Sequence, residues 1–83
     1  MRVTVKYFAS VRETVGQGSE VVQTSAATLA ELRDELIARG GVHAQALARG
    51  KALRVAQNQV MSAESAAVQD GAELAFFPPV TGG

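Results

Sequence analysis

Apolar and polar residues alternate from Arg2 to Phe8. Val3, Val5 and Tyr7 share one face, while Arg2, Thr4 and Lys6 share the other, which predicts a half-buried strand. Phe8 breaks the alternation by falling on the polar face. Ser10-Val11-Arg12-Glu13 has the spacing of a capping box, with Ser10 as N-cap and Glu13 three residues on. Val11 and Val15 stand four apart, and Gly16 is suited to a left-handed stop, so residues 10–15 are predicted to form a short helix. After a Gly16-Gln17-Gly18 loop, Glu20 to Thr24 reads as a second strand built on Val21 and Val22. Strands this close in sequence usually pair antiparallel.

Ser25 to Ala27 leads into the main helix. Thr28 and Glu31 form another capping box, and Leu29, Leu32, Leu36 and Ile37 make one apolar stripe at helical spacing. Arg33, Asp34, Glu35 and Arg39 fall largely off the stripe and read as a solvated face. Gly40-Gly41 ends the helix. Residues 43–49 predict a second short helix capped by Gly50. Lys51 to Asn58 predicts a third strand, with Leu53 and Val55 inward; Gln57 next on that face marks the strand as leaving the core. Val60 and Met61 either extend it or begin another strand. Ser62 to Ala67 reads as loop and Asp70-Gly71 as a turn. Ala72 to Phe77 is the last strand, with Leu74 and Phe76 inward and Phe77 outward. One amphipathic helix over one face of a mostly antiparallel sheet is an α+β domain. Residues 1–77 form the domain, and residues 78–83 a protruding C-terminal tail.

Composition narrows the function. The 83 residues suit a single small core without a deep enzyme cleft. Eight basic residues balance eight acidic ones, which argues against a nucleic-acid or membrane surface. Met1-Arg2-Val3-Thr4 has no signal-peptide pattern, and no apolar run approaches membrane-spanning length, so the cytoplasm is the expected location. With no cysteine and one histidine, the chain offers neither a thiol nucleophile nor a metal site. His43, in an Ala-rich short helix, reads as a surface or capping residue rather than a triad member. Gly16-Gln17-Gly18 lacks the remainder of a phosphate-binding loop.

The end of the chain is different. Phe76-Phe77-Pro78-Pro79-Val80-Thr81-Gly82-Gly83 joins a strand to two prolines, which cannot donate to a ladder and therefore stop it. Pro78 to Gly83 reaches up to roughly 20 Å if extended. Fraying is the ordinary fate of chain ends. Against that, Gly averages about 7% of residues, so a closing Gly-Gly arises by chance in roughly 0.5% of chains. The α-carboxyl of Gly83 is unreactive when ionised and becomes an electrophile only as a mixed anhydride, such as an adenylate. A sulfur nucleophile displacing AMP would then leave a thiocarboxylate. Phe8 and Phe77, the aromatics that break alternation, are candidates for an exposed docking patch with Met61 as a third member. The alternative is a second small core beneath the 43–49 helix.

This tail resembles that of the small subunit of molybdopterin synthase, a family of ubiquitin-like sulfur carriers. Val5-Lys6-Tyr7-Phe8-Ala9-Ser10-Val11-Arg12-Glu13 resembles the family's first strand and short helix, and Asn58-Gln59 and Asp70-Gly71 fall where the family has them. Gln57, usually apolar in the family, and Ala66-Ala67, where a turn often contains Pro, are departures that predict a looser edge. The resemblance implies a β-grasp, ubiquitin-like fold with a mixed sheet. It implies that an E1-like adenylyltransferase uses ATP to activate Gly83 and that a sulfur donor system then makes the thiocarboxylate. The tail, with Gly82 giving close access, would enter the large subunit of molybdopterin synthase and pass sulfur to cyclic pyranopterin monophosphate in molybdenum cofactor biosynthesis. Phe8, Met61, Phe77, Pro78, Pro79, Val80 and Thr81 are then the partner-binding residues. The expected assembly is a heterotetramer, with no cofactor bound by this chain and no complete active site in it alone. The alternatives are a sulfur carrier for another pathway, such as thiamine thiazole synthesis, a ubiquitin-like protein modifier, or a plain interaction domain.

Overall fold

The computed structural model describes residues 1–79. Its elements are β1 (Arg2–Tyr7), α1 (Ala9–Val15), β2 (Ser19–Gln23), α2 (Leu29–Ala38), α3 (Gly41–Leu47), β3 (Arg54–Gln57), β4 (Val60–Ser62) and β5 (Glu73–Phe77). The sheet order is β2-β1-β5-β3-β4. β1 pairs parallel with β5, and the other neighbours are antiparallel. First and last strands thus run side by side at the centre. A parallel pair needs a crossover between its members, and the helical segment supplies it. This is the β-grasp arrangement.

The alternation in β1 does what it predicts: Val3, Val5 and Tyr7 are buried. They meet Leu29, Leu32 and Leu36 of α2 and Leu74 and Phe76 of β5 in one core. α3 packs against both α1 and α2, so all three helices share the inner face. Thr28 caps α2 by accepting a hydrogen bond from the Glu31 amide at 3.2 Å. The Glu31 carboxylate accepts in turn from the Ala27 amide at 2.6 Å. Two N–H groups at the helix entrance are satisfied in this way.

Several expectations need correction. α1 starts at Ala9, and its N-cap is Phe8 rather than Ser10. The Phe8 amide still donates to the Phe76 carbonyl at 3.2 Å. The chain therefore leaves the sheet only after Phe8, and it turns at once through Ala9 at φ 52°. Gly16 does close the helix in the left-handed conformation, at φ 88°. α3 begins at Gly41 and ends at Leu47, before Gly50. β3 begins at Arg54 rather than Lys51, because the carbonyls of Leu47, Ala48 and Lys51 are drawn towards Arg33 instead of a neighbouring strand.

Arg33 itself is 3% exposed, so it is no part of a solvated face. Its Nε donates to Leu47 O at 2.8 Å, Nη1 to Glu64 Oε2 at 2.8 Å, and Nη2 to Ala48 O at 2.8 Å and Lys51 O at 3.2 Å. The planar fork matches these converging acceptors. Gln57 is likewise buried and does not mark an exit from the core. Its Nε2 donates to Ala67 O at 3.0 Å, and its Oε1 accepts from the Gln69 amide at 2.9 Å. The departure at Gln57 therefore ties residues 67–69 to the sheet rather than loosening them. Asn58 and Gln59, at φ 51° and 68°, make the tight two-residue turn between β3 and β4.

Candidate functional site

The strand register builds the outer face of the sheet. Tyr7 is level with Phe76 in the parallel pair, so Phe8 and Phe77 follow side by side. Phe77 stands opposite Arg54 on β3. The next row runs from Lys6 through Ala75 and Ala56 to Met61. Phe8 is 46% and Met61 58% exposed, and Phe77 is half-buried. Ala56 is 8% exposed yet stands outside the inner core, which makes it part of the floor of this outer surface. Two alanines between aromatic, Met and Arg side chains leave a shallow apolar depression. A groove of about 530 Å³ has Arg54, Met61 and Glu64 among its lining residues. On the side away from the aromatics, Lys6 and Glu73 form an exposed ion pair at 3.3 Å.

The tail begins here. β5 ends at Phe77, and Pro78 and Pro79 follow half-buried. Phe8, Phe77, Pro78 and Pro79 thus gather at one end of the central strand pair, with Met61 two strands away across the alanines. Val80, Thr81, Gly82 and Gly83 lie outside the described residues.

A second polar cluster lies on the inner face at β2. Glu20 Oε2 accepts from the Tyr7 hydroxyl at 2.7 Å and meets His43 Nε2 at 2.8 Å. Arg39 Nη1 donates to Glu20 Oε1 at 2.7 Å. The His43 ring stands edge-on to Tyr7, with centroids 6.2 Å apart. Burial disfavours the Glu20 charge, but the hydrogen bonds from His43, Arg39 and Tyr7 outweigh it and draw its pKa down to about 2. Burial, then the bond to Glu20, pushes the Tyr7 hydroxyl above its ordinary value. His43 is therefore a partner within a part-buried network, not the surface or capping residue expected. The groups satisfy one another, and among the described residues no buried side-chain polar atom lacks a partner. The cluster fastens β2 to the corner between α2 and α3, a holding role.

Sequence reasoning singled out the aromatics and missed Arg54. The signal was present: once Leu53 and Val55 face inward, Arg54 must face outward beside Phe77.

Comparison with known proteins agrees along the whole chain. The ThiS family profile matches residues 5–83. The molybdopterin synthase sulfur carrier subunit of Haemophilus influenzae is 42% identical over 81 residues, covering 98% of this chain and 99% of that protein. SAMP1 from Haloferax volcanii has a crystal structure that matches with a TM-score of 0.78 at 29% identity, over 100% of both chains. A protein–protein complex of subunits 1 and 2 of the molybdopterin-converting factor from Helicobacter pylori contains a chain that matches with a TM-score of 0.66 at 25% identity, again over 100% of both.

Proposed function

The chain belongs to the ThiS family, among the molybdopterin synthase sulfur carrier subunits, and from that membership we propose that it carries sulfur as a thiocarboxylate on Gly83. The observation that carries this reading is the near-full-length match to a sulfur carrier subunit, with the family profile extending through Gly82 and Gly83. The fold fits the task. β5 ends at Phe77, and Pro78 and Pro79 that follow have no N–H to offer a neighbouring strand.

The chemistry follows from the carboxylate. A Gly83 oxygen attacks the α-phosphorus of ATP on an E1-like adenylyltransferase, and pyrophosphate leaves. Hydrosulfide delivered by a donor system adds to the acyl-adenylate carbonyl, AMP leaves with the bonding electron pair, and loss of the S–H proton gives the thiocarboxylate. The thiocarboxylate then enters the large subunit of molybdopterin synthase and yields its sulfur to cyclic pyranopterin monophosphate, and hydrolysis restores the carboxylate. Two glycines let both enzymes approach the carbonyl closely. Phe8, Phe77 and Met61 form the docking patch for the large subunit, with Pro78, Pro79, Val80 and Thr81 as the stem that enters it. Two such carriers on a large-subunit dimer make a heterotetramer. The demand for ATP fits a cytoplasmic reaction. Among the described residues no helix is long and apolar enough to cross a membrane.

The test is direct. The chain is incubated with the activating enzyme, ATP and a sulfur donor, and its intact mass is followed. Exchange of one oxygen for sulfur is expected, and the product should support molybdopterin formation by the large subunit. A mass unchanged under these conditions overturns the carrier role.

A further inference from the structure

Arg54 is exposed on the outer face of the sheet. It stands opposite Phe77 across β3 and β5, so their Cβ atoms lie about 5 Å apart. It shares the outer face with Phe8, Phe77, Ala56, Ala75 and Met61. It lines the same groove as Met61. Four of the other cations have carboxylate partners: Lys6 with Glu73, Arg33 with Glu64, Arg39 with Glu20, and Arg49 with Asp34. Arg54 has no ion-pair or hydrogen-bond partner for its side chain among the described residues. Glu64, the carboxylate lining the groove, is already held by Arg33 and Arg49.

A partner that covers Phe77 and Met61 must strip water from Arg54 as well. Desolvating a guanidinium without a counter-charge is costly enough to cancel much of the apolar gain. We infer that Arg54 is a specificity residue of the docking patch, and that the partner presents an aspartate or glutamate beside its apolar socket, on a segment that enters the groove between Arg54 and Met61. The inference rests on the proposed docking of the large subunit and names the chemistry that such a partner must bring. The fork of Arg54 takes a carboxylate by two parallel N–H···O bonds. A partner with an equally apolar socket but no acid is rejected, because it would bury the charge unpaired.

The experiment measures binding of the large subunit to the full chain by titration calorimetry, for wild type, Arg54→Ala, Arg54→Lys, Arg54→Glu and a distant control, Arg2→Gln. Arg54→Ala should weaken binding at least about 30-fold, the loss typical of a truncated buried charge pair. Arg54→Glu should weaken it further. Arg54→Lys should fall between wild type and Ala, since an ammonium keeps the charge without the fork. Arg2→Gln, at the opposite end of β1, should stay within about 2-fold. Melting temperatures of all variants should be close to wild type, because the exposed Arg54 side chain makes no hydrogen bond or ion pair among the described residues. Wild-type binding with Arg54→Ala and Arg54→Glu unchanged overturns this inference and leaves the carrier role standing. No binding by wild type overturns the docking patch itself, and the inference with it.

Discussion

Replacing Arg33 by Met tests the internal frame that holds the site. Met keeps helix propensity and much of the volume, so the change isolates the polar contacts. Four hydrogen bonds disappear: those to Leu47 O, Ala48 O, Lys51 O and Glu64 Oε2. Glu64 keeps its contact with Arg49 and is part-exposed, so its own loss is modest. The three carbonyls are the larger matter. They close the end of α3 and the turn that leads to β3, and the guanidinium that gathers them is only 3% exposed. Breaking a buried charge network typically costs about 3–5 kcal/mol. A domain of this length has a total stability of about 4–12 kcal/mol. Arg33→Met should therefore remove about a quarter of the stability or more. For a domain this small, that lowers the melting temperature by about 12 °C or more. Urea unfolding followed by circular dichroism measures the difference, with Asp34→Ala as control. Asp34 is next in sequence but 62% exposed in its ion pair, and its loss should cost about 0.5 kcal/mol or less. A penalty for Arg33→Met below about 1 kcal/mol would refute the reasoning, since it would mean that water replaces the guanidinium at no great cost.

Three further outcomes follow from the geometry. Deleting Gly83 should abolish sulfur transfer while leaving the unfolding curve unchanged; continued molybdopterin formation by the truncated chain would remove the tail from the mechanism. Phe77→Ala should weaken binding to the large subunit more than it lowers the melting temperature, and the opposite balance would return Phe77 to the core. Glu20 has its pKa lowered from 4.5 to about 2, so its stabilisation is complete above about pH 4.5 and is lost as the pH falls through 2. Wild type should lose up to about 3 kcal/mol more than Glu20→Gln between pH 6 and pH 2, and parallel pH profiles in urea titrations would show that the part-buried network does not depend on that charge.

The elements readable in the sequence were those whose cause is local. Val3, Val5 and Tyr7 alternate because a strand does, and the Leu29–Leu32–Leu36 stripe follows from the turn of a helix. Thr28 with Glu31 is a cap whose whole chemistry fits in four residues. The misreadings share another origin. Arg33, Gln57 and His43 look like surface residues by type, and the partners that bury them come from far along the chain: Glu64 for Arg33, Ala67 and Gln69 for Gln57, Glu20 for His43. Ser10 has the right neighbours for a cap, but the Phe8–Phe76 backbone bond fixes where the chain leaves the sheet and overrides the local signal. On the outer face, the break in alternation at Phe8 and Phe77 was visible from sequence. Their adjacency, and the place of Arg54 beside them, needed the register of three strands.

The parallel pairing of β1 with β5 also decides where the molecule can be handled. Met1 sits at the far end of β1, its amine donating to Thr24 O at 2.9 Å, about 20 Å of strand away from Phe8. A purification tag or fluorophore attached before Met1 hangs off the end of β1 remote from Phe8 and Phe77, and it disturbs at most one hydrogen bond. The same label placed after Gly83 would convert the α-carboxyl into a peptide bond and leave a correctly folded protein with nothing to activate.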